Sequence, residues 1–190
     1  ITLFTCISLT NSTPRKTTLI ENFVSDLISF PQRVYANAKA VEHTFIPIVE
    51  LTTSEVDNVI TAVFHDHPEF FWMESGYSYK YNEKNYCVQI MLSFNETAKD
   101  IKNAKQKMNE KVSEIVAAAS KLEDDYAKEI YVHDAIMDCA EYDSTGTFHQ
   151  SAYGALIEGK AVCAGYSRAF QLIMMELGIP TYYCAGKSEG

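Results

Sequence analysis

One stretch constrains the chain more than any other: Gly159-Lys160-Ala161-Val162-Cys163-Ala164-Gly165-Tyr166, a chain-breaking glycine followed by a cysteine at the start of a helical pattern. Beyond it Tyr166, Phe170, Ile173, Met174 and Leu177 recur on one helical face, and Gly178-Ile179-Pro180 stops the run. A helix from about Cys163 to Leu177 is predicted, with the sulfur at or next to its first turn. At such a position the unpaired N–H groups and the positive end of the helix dipole favour thiolate, the form that attacks, and can hold a developing oxyanion. Small neighbours leave room for a substrate backbone. The same spacing also fits a buried, inert cysteine, and the residues by themselves leave both accounts open.

Upstream, Thr53 or Ser54 can cap a helix in which Val56, Val59, Ile60, Val63 and Phe64 share a face and which Pro68 closes. Next come Gly76-Tyr77-Ser78-Tyr79-Lys80-Tyr81, a turn-like Asn82-Glu83-Lys84-Asn85, and an alternation of Tyr86, Val88, Ile90, Leu92 and Phe94 with Cys87, Gln89, Met91 and Ser93. This predicts an antiparallel β-hairpin near 75–94 with Val88, Ile90 and Leu92 turned to a core. Asn95 can cap a long helix near 96–120, with Ala98, Ile101, Met108, Val112, Ile115 and Ala119 on one stripe and lysines opposite. A helix from about Asp124 to Cys139 follows, then a loop through Tyr142 to Gly146, a single turn capped by Ser151, and a strand-like tail, Thr181-Tyr182-Tyr183-Cys184-Ala185. At the front, residues 1–18 are strand-prone around an Asn11-Ser12-Thr13-Pro14 turn, and a mixed helical region runs to about Ala40.

Totals exclude several function classes. With 25 acidic against 16 basic residues, a net charge of −9 and a pI near 5.0, the summed field repels phosphate backbones, so nucleic acid is not an expected partner. No apolar run approaches the roughly 18 to 20 residues of a membrane-spanning helix. Cys6, Cys87, Cys139, Cys163 and Cys184 are scattered, odd in number and without a Cys-x-x-Cys pair, so neither a disulfide framework nor a zinc knuckle is indicated and at least one thiol is free; no metal or other cofactor is expected. Leu3-Phe4-Thr5-Cys6 has the outline of a lipid-attachment box, but Phe4 and Thr5 are bulkier than such a site uses. Lacking an initial methionine, the chain reads as a processed or excised piece. At 190 residues and 47% hydrophobic content it is long enough for a generous core.

The stretches Gln150-Ser151-Ala152-Tyr153-Gly154-Ala155-Leu156, Gly159 to Phe170 and Leu177-Gly178-Ile179-Pro180 resemble the nucleophile region of bacterial transglutaminase-like proteins. Tyr131-Val132-His133-Asp134 and Tyr142-Asp143 are similar to that family's lead-in helix and loop. His67-Pro68-Glu69-Phe70-Phe71-Trp72 with Gly76-Tyr77-Ser78-Tyr79 resembles an extension that precedes the core in some members. The resemblance implies an α+β fold. Residues 1–120 would form an N-terminal extension of helices and a β-hairpin, and 121–190 the helical front half of a papain-like, transglutaminase-like core. It also implies a Cys-His-Asp site, of which only the cysteine maps, onto Cys163. The histidine-bearing strand is expected just after Cys184 to Gly190, so the chain reads as stopping short of it and as inactive by itself.

No histidine in the chain is a convincing substitute. His43 and His149 lie in irregular stretches, His133 is expected to be packed and hydrogen-bonded on the lead-in helix, and His65-Asp66-His67 reads as a helix end rather than a metal site. Tyr153 is a candidate second oxyanion donor, with plain packing as the alternative. The aromatic group from Phe70 to Tyr86 could wall a peptide groove or fill a core. The implied function is attack by Cys163 on a carboxamide or amide of a protein or peptide, giving transamidation, or proteolysis and deamidation. The rival is a non-catalytic module that binds a peptide or cell-wall partner. The resemblance leans toward a secreted or cell-surface protein.

Overall fold

A reciprocal capping box starts the first helix with two defined ends. Thr52 Oγ1 accepts from the Glu55 N–H at 3.4 Å, and the Glu55 carboxylate accepts from the Thr52 N–H at 2.8 Å. The cap is therefore Thr52, one residue ahead of the expected Thr53. The computed structural model describes residues 30–48 and 50–185. The Asn11–Pro14 turn and the Cys6 box lie outside the described residues.

The elements in order are helix α1 (30–40), strand β1 (Thr44–Phe45), helix α2 (Thr53–Asp66), and strands β2 (Met73–Tyr81) and β3 (Cys87–Phe94). A 3-10 turn (Glu96–Asp100), α3 (Ile101–Ala119), α4 (Asp125–Cys139) and β4 (Glu141–Tyr142) follow. A π turn (Gly154–Glu158), β5 (Lys160–Ala161) and α5 (Cys163–Glu176) complete the α+β fold.

The hairpin forms as its alternation requires, and β1 adds to its far side to give the antiparallel order β1-β3-β2. The register shifts twice, between Met73 and Tyr77 and again beside Tyr81. Lys80 pairs with Gln89 but Tyr81 pairs with Cys87, so Val88 is the extra residue of a β-bulge and is 41% exposed, while Cys87 turns inward. Ile90 and Leu92 are buried as expected, and Phe45 pairs with Ile90.

The predicted helix after Asn95 is two pieces. Asn95 caps only the 3-10 turn, accepting from the Thr97 N–H at 3.0 Å, and Asp100 then caps α3, accepting from the Asn103 N–H at 3.3 Å. Two short polar side chains compete for the chain's first free donors, and each starts its own segment. On α3 the stripe Met108, Val112, Ile115 and Ala119 is buried together with Ala104, while Ala98 and Ile101 are half-buried against it. Asp124 caps α4, accepting from the Ala127 N–H at 2.7 Å.

Phe70, Phe71 and Trp72 are all buried and tie the front of the chain to the rest. The Trp72 indole N–H donates to Ala38 O at 2.8 Å, one of the last carbonyls of α1, and the Lys105 ammonium lies 4.2 Å above the ring. Asn95 Nδ2 donates to Phe71 O at 2.8 Å, and the Tyr77 hydroxyl donates to the Asp57 carboxylate, joining β2 to α2. Of the aromatic group, this trio fills the core, whereas Tyr81 is exposed.

Two features of the back half were not anticipated or differ. β4 and β5 pair in parallel, Glu141 with Lys160 and Tyr142 with Ala161. Residues 181–185 have strand composition but no regular structure, because among the described residues no strand lies beside them to supply the ladder.

The bulge makes a direct prediction about two neighbouring aliphatic residues. Ile90→Ala is expected to cost about 2–5 kcal/mol in urea unfolding and Val88→Ala no more than about 0.5 kcal/mol. Equal losses would contradict the bulged register.

Candidate functional site

Cys163 is the first residue of α5 and is exposed. The residue before it, Val162, has extended backbone (φ −105°, ψ 180°) and a side chain that cannot accept a hydrogen bond. Most helices spend a Ser, Thr, Asp or Asn oxygen on the donors of their first turn. Here the Val162 N–H donates to His149 O at 2.9 Å and the helix ladder begins with the Tyr166 N–H on Val162 O at 3.2 Å. Among the described residues the backbone N–H groups of Cys163, Ala164 and Gly165 have no backbone partner. They are the donors of the helix's first turn, which the helix itself leaves unpaired.

What holds the start of α5 in place is a pair of close backbone approaches. A Cβ at Gly165 would sit 2.5 Å from His149 O and 3.1 Å from Ser151 O, and one at Gly154 would sit 2.2 Å from Phe148 O. The 148–151 segment is thus pressed between α5 and the π turn, and only glycine fits at either face. The segment is anchored in turn. The Glu158 carboxylate accepts from the N–H groups of Thr147 and Phe148, both at 2.9 Å, and His149 Nδ1–H donates to Gly146 O at 2.6 Å. Gly159 ends the π turn at φ +78°.

Beside this, Lys160 pairs with Asp143 at 2.8 Å and donates to Thr145 Oγ1 at 3.2 Å. The Lys160 hydrogen bond, with the Thr145 N–H, holds the Asp143 carboxyl far below the usual carboxylate range. The Tyr166 hydroxyl donates to Ala140 O at 2.6 Å, which fixes the far side of α5 to the end of α4, and burial pushes that phenol's pKa up.

Sequence reasoning missed two buried polar residues of α5. The Arg168 guanidinium donates to Phe64 O at 2.7 Å, and Gln171 Nε2 donates to His65 O at 2.9 Å. Both acceptors belong to the last turn of α2, where carbonyls lack partners within the helix and a cation is favoured. Burial pulls the Arg168 pKa down to about 10. The signal was present: Ala164, Gly165, Ala169 and Leu172 make α5 apolar or small nearly all round, the mark of a helix covered on every side.

The other candidates are dispersed. Tyr153 is 9% exposed, stacked on Phe71 at 5.3 Å and edge-on to Phe148 at 5.3 Å, in contacts that are those of packing. His133, expected to be packed, is exposed on α4 and bonded only to the neighbouring Asp134 at 2.9 Å, because its position points away from the Val132 and Ile136 face. His65 lies against Tyr183 at 4.7 Å, its pKa lowered by burial and by Arg168. His67 instead bonds Glu69 at 2.8 Å and packs on Tyr35 and Phe70. His43 packs on Phe94. Among the described residues no side chain hydrogen-bonds the Cys163 sulfur.

An α+β chain with an exposed cysteine opening an uncapped helix defines a recognisable class. Residues 96–190 match the Transglutaminase-like superfamily, from the 3-10 turn through α5, and the chain belongs to that superfamily. No curated protein matches the chain. No helix among the described residues is long and apolar enough to cross a membrane.

The glycine seat is testable. Gly165→Ala is expected to lose about 1–3 kcal/mol in urea unfolding, since the His149 carbonyl cannot retreat without releasing Val162. Wild-type stability in that variant would mean that the close approach does not hold α5.

Proposed function

We propose that Cys163 is the nucleophile of a thiol enzyme acting on carboxamide or amide groups of proteins or peptides. The observation that carries this reading is the exposed sulfur at a helix start whose first three N–H groups are left open. Thiolate adds to the carbonyl carbon, forming the C–S bond, and the carbonyl electron pair moves to oxygen, where those N–H groups can hold the negative charge. Collapse expels the amine, which must take a proton as it leaves, and a thioester remains on Cys163. An amine then resolves it in transamidation, or water in proteolysis or deamidation.

The proton donor is the missing role. Among the described residues no histidine hydrogen-bonds the Cys163 sulfur, and His43, His65, His67, His133 and His149 have other partners, which supports a donor supplied by the histidine- and aspartate-bearing strands that the family resemblance implies after residue 190. The division into an extension over 1–120 and a core over 121–190 is part of the same proposal, although the superfamily match takes in α3 as well. Tyr153 enters only through its hydroxyl; its ring contacts are accounted for by packing.

Loss of general acid help is worth roughly 10² to 10⁴-fold. The 190-residue chain is therefore expected to release no ammonia from a glutaminyl peptide above background. A polypeptide that also carries the histidine and aspartate strands should turn over, and Cys163→Ala should abolish that turnover. Turnover unchanged by Cys163→Ala would overturn the assignment, and absence of turnover in the longer polypeptide would favour a binding module.

A further inference from the structure

A second site lies on the other side of the helix that bears Cys163. At about 100° per residue, the five residues from Cys163 to Arg168 place the two side chains about 140° apart around α5. Arg168 does not face the space in front of the thiol. It lines a separate cavity of about 230 Å³, between the 147–151 segment and the Phe70–Gly76 segment.

Arg168 is only 5% exposed, yet among the described residues no carboxylate lies within ion-pair distance of it. Capping α2 takes one of its five N–H donors, through the bond to Phe64 O. The guanidinium carbon lies 3.7 Å from the centroid of the Phe64 ring and 4.8 Å from that of Tyr183. Among the described residues the other guanidinium N–H groups have no hydrogen-bond partner and are not sealed from solvent, and a carboxylate can take two such donors in parallel. Phe70, Phe71 and Phe148 supply apolar wall, and among the described residues the only acidic one on the lining is Glu74, which is exposed. A buried cation in a water-accessible cavity, with donors to spare and no counter-ion among the described residues, is matched to an anionic ligand.

We propose that this cavity binds a carboxylate attached to a small apolar body, with Arg168 as the group that recognises it. The chemistry is shared by a peptide's terminal carboxylate and by an acidic side chain. Binding here does not require that Cys163 be a nucleophile, so the two proposals stand or fall separately.

The test is an amide NMR titration of the 190-residue protein with three probes: N-acetyl-L-leucine, its primary amide, and the α-amide of N-acetyl-L-glutamic acid. One or both carboxylates are expected to shift the amides of Gly76, His149 and Gln150 saturably, and the leucine amide to bind at least about tenfold more weakly, because it lacks the charge that Arg168 pairs with. The tighter carboxylate identifies the source. Arg168→Lys, checked for folding by its melting transition, is expected to weaken the carboxylate about tenfold, since an ammonium keeps the charge but not the fork. Comparison of the probes on the unaltered protein holds even if that variant fails to fold. Equal binding of leucine and its amide, or no saturable shift up to roughly 10 mM, where binding is too weak to be specific, would show that Arg168 serves only to cap α2.

Discussion

A guanidinium cannot be left alone in a protein interior, and the architecture around α5 is arranged to meet that requirement. Arg168 donates to the end of α2 and lies against two aromatic rings, Phe64 and Tyr183, and Gln171 repeats the contact one residue further along α2. The same device recurs where other parts of the chain meet. Trp72 donates to the end of α1, and Asn95 donates to the backbone of the Phe70–Trp72 segment. At Phe64, His65 and Phe71 the carbonyl has no other partner among the described residues, while Ala38 O also accepts from the Val41 N–H at 3.3 Å, and the joints are directional as well as apolar. Replacing Arg168 by an apolar residue of similar size would leave the Phe64 carbonyl without its donor, whatever it did for packing.

The start of α5 depends on contacts of a different kind. Gly154 and Gly165 let backbone touch backbone, and Val162 leaves the helix without a cap. An absent cap costs stability, typically about 1 kcal/mol. On the proposed function, a helix start that leaves its donors unpaired while fixing its position with glycine contacts gives up some stability for donors that a substrate oxygen can use. The thiol is exposed at that point, and the anchoring network of Glu158, His149 and the Asp143–Lys160 pair lies behind it.

Much of this was legible in the sequence, for reasons that differ by element. The start of α5 at Cys163 followed from one apolar stripe between a glycine and a Gly-Ile-Pro stop. The hairpin followed from period-two alternation, but the bulge at Val88 did not, because a bulge is set by the pairing partner and leaves alternation in the strand itself intact. The Asp100 cap was hidden inside a continuous helical pattern. Arg168 and Gln171 were overlooked because polar residues on a helix are read as solvent-facing until something is known to cover them, and the cover, α2, lies about a hundred residues earlier in the chain. The β4-β5 pair is two residues long on each side, too short for any pattern to announce.

The central claim is that position at the helix start, rather than exposure alone, makes Cys163 the reactive thiol. Cys184 supplies an internal control, being also exposed but in an irregular segment, while Cys87 is buried and its pKa is raised by that burial. The direct measurement is the rate of iodoacetamide modification at each cysteine of the folded chain, followed by mass spectrometry of digests over time. Cys163 is expected to react at least about tenfold faster than Cys184, with the difference lost in urea, because a helix terminus acts on the sulfur only while the helix exists. Equal rates at Cys163 and Cys184 in the folded chain would contradict the account.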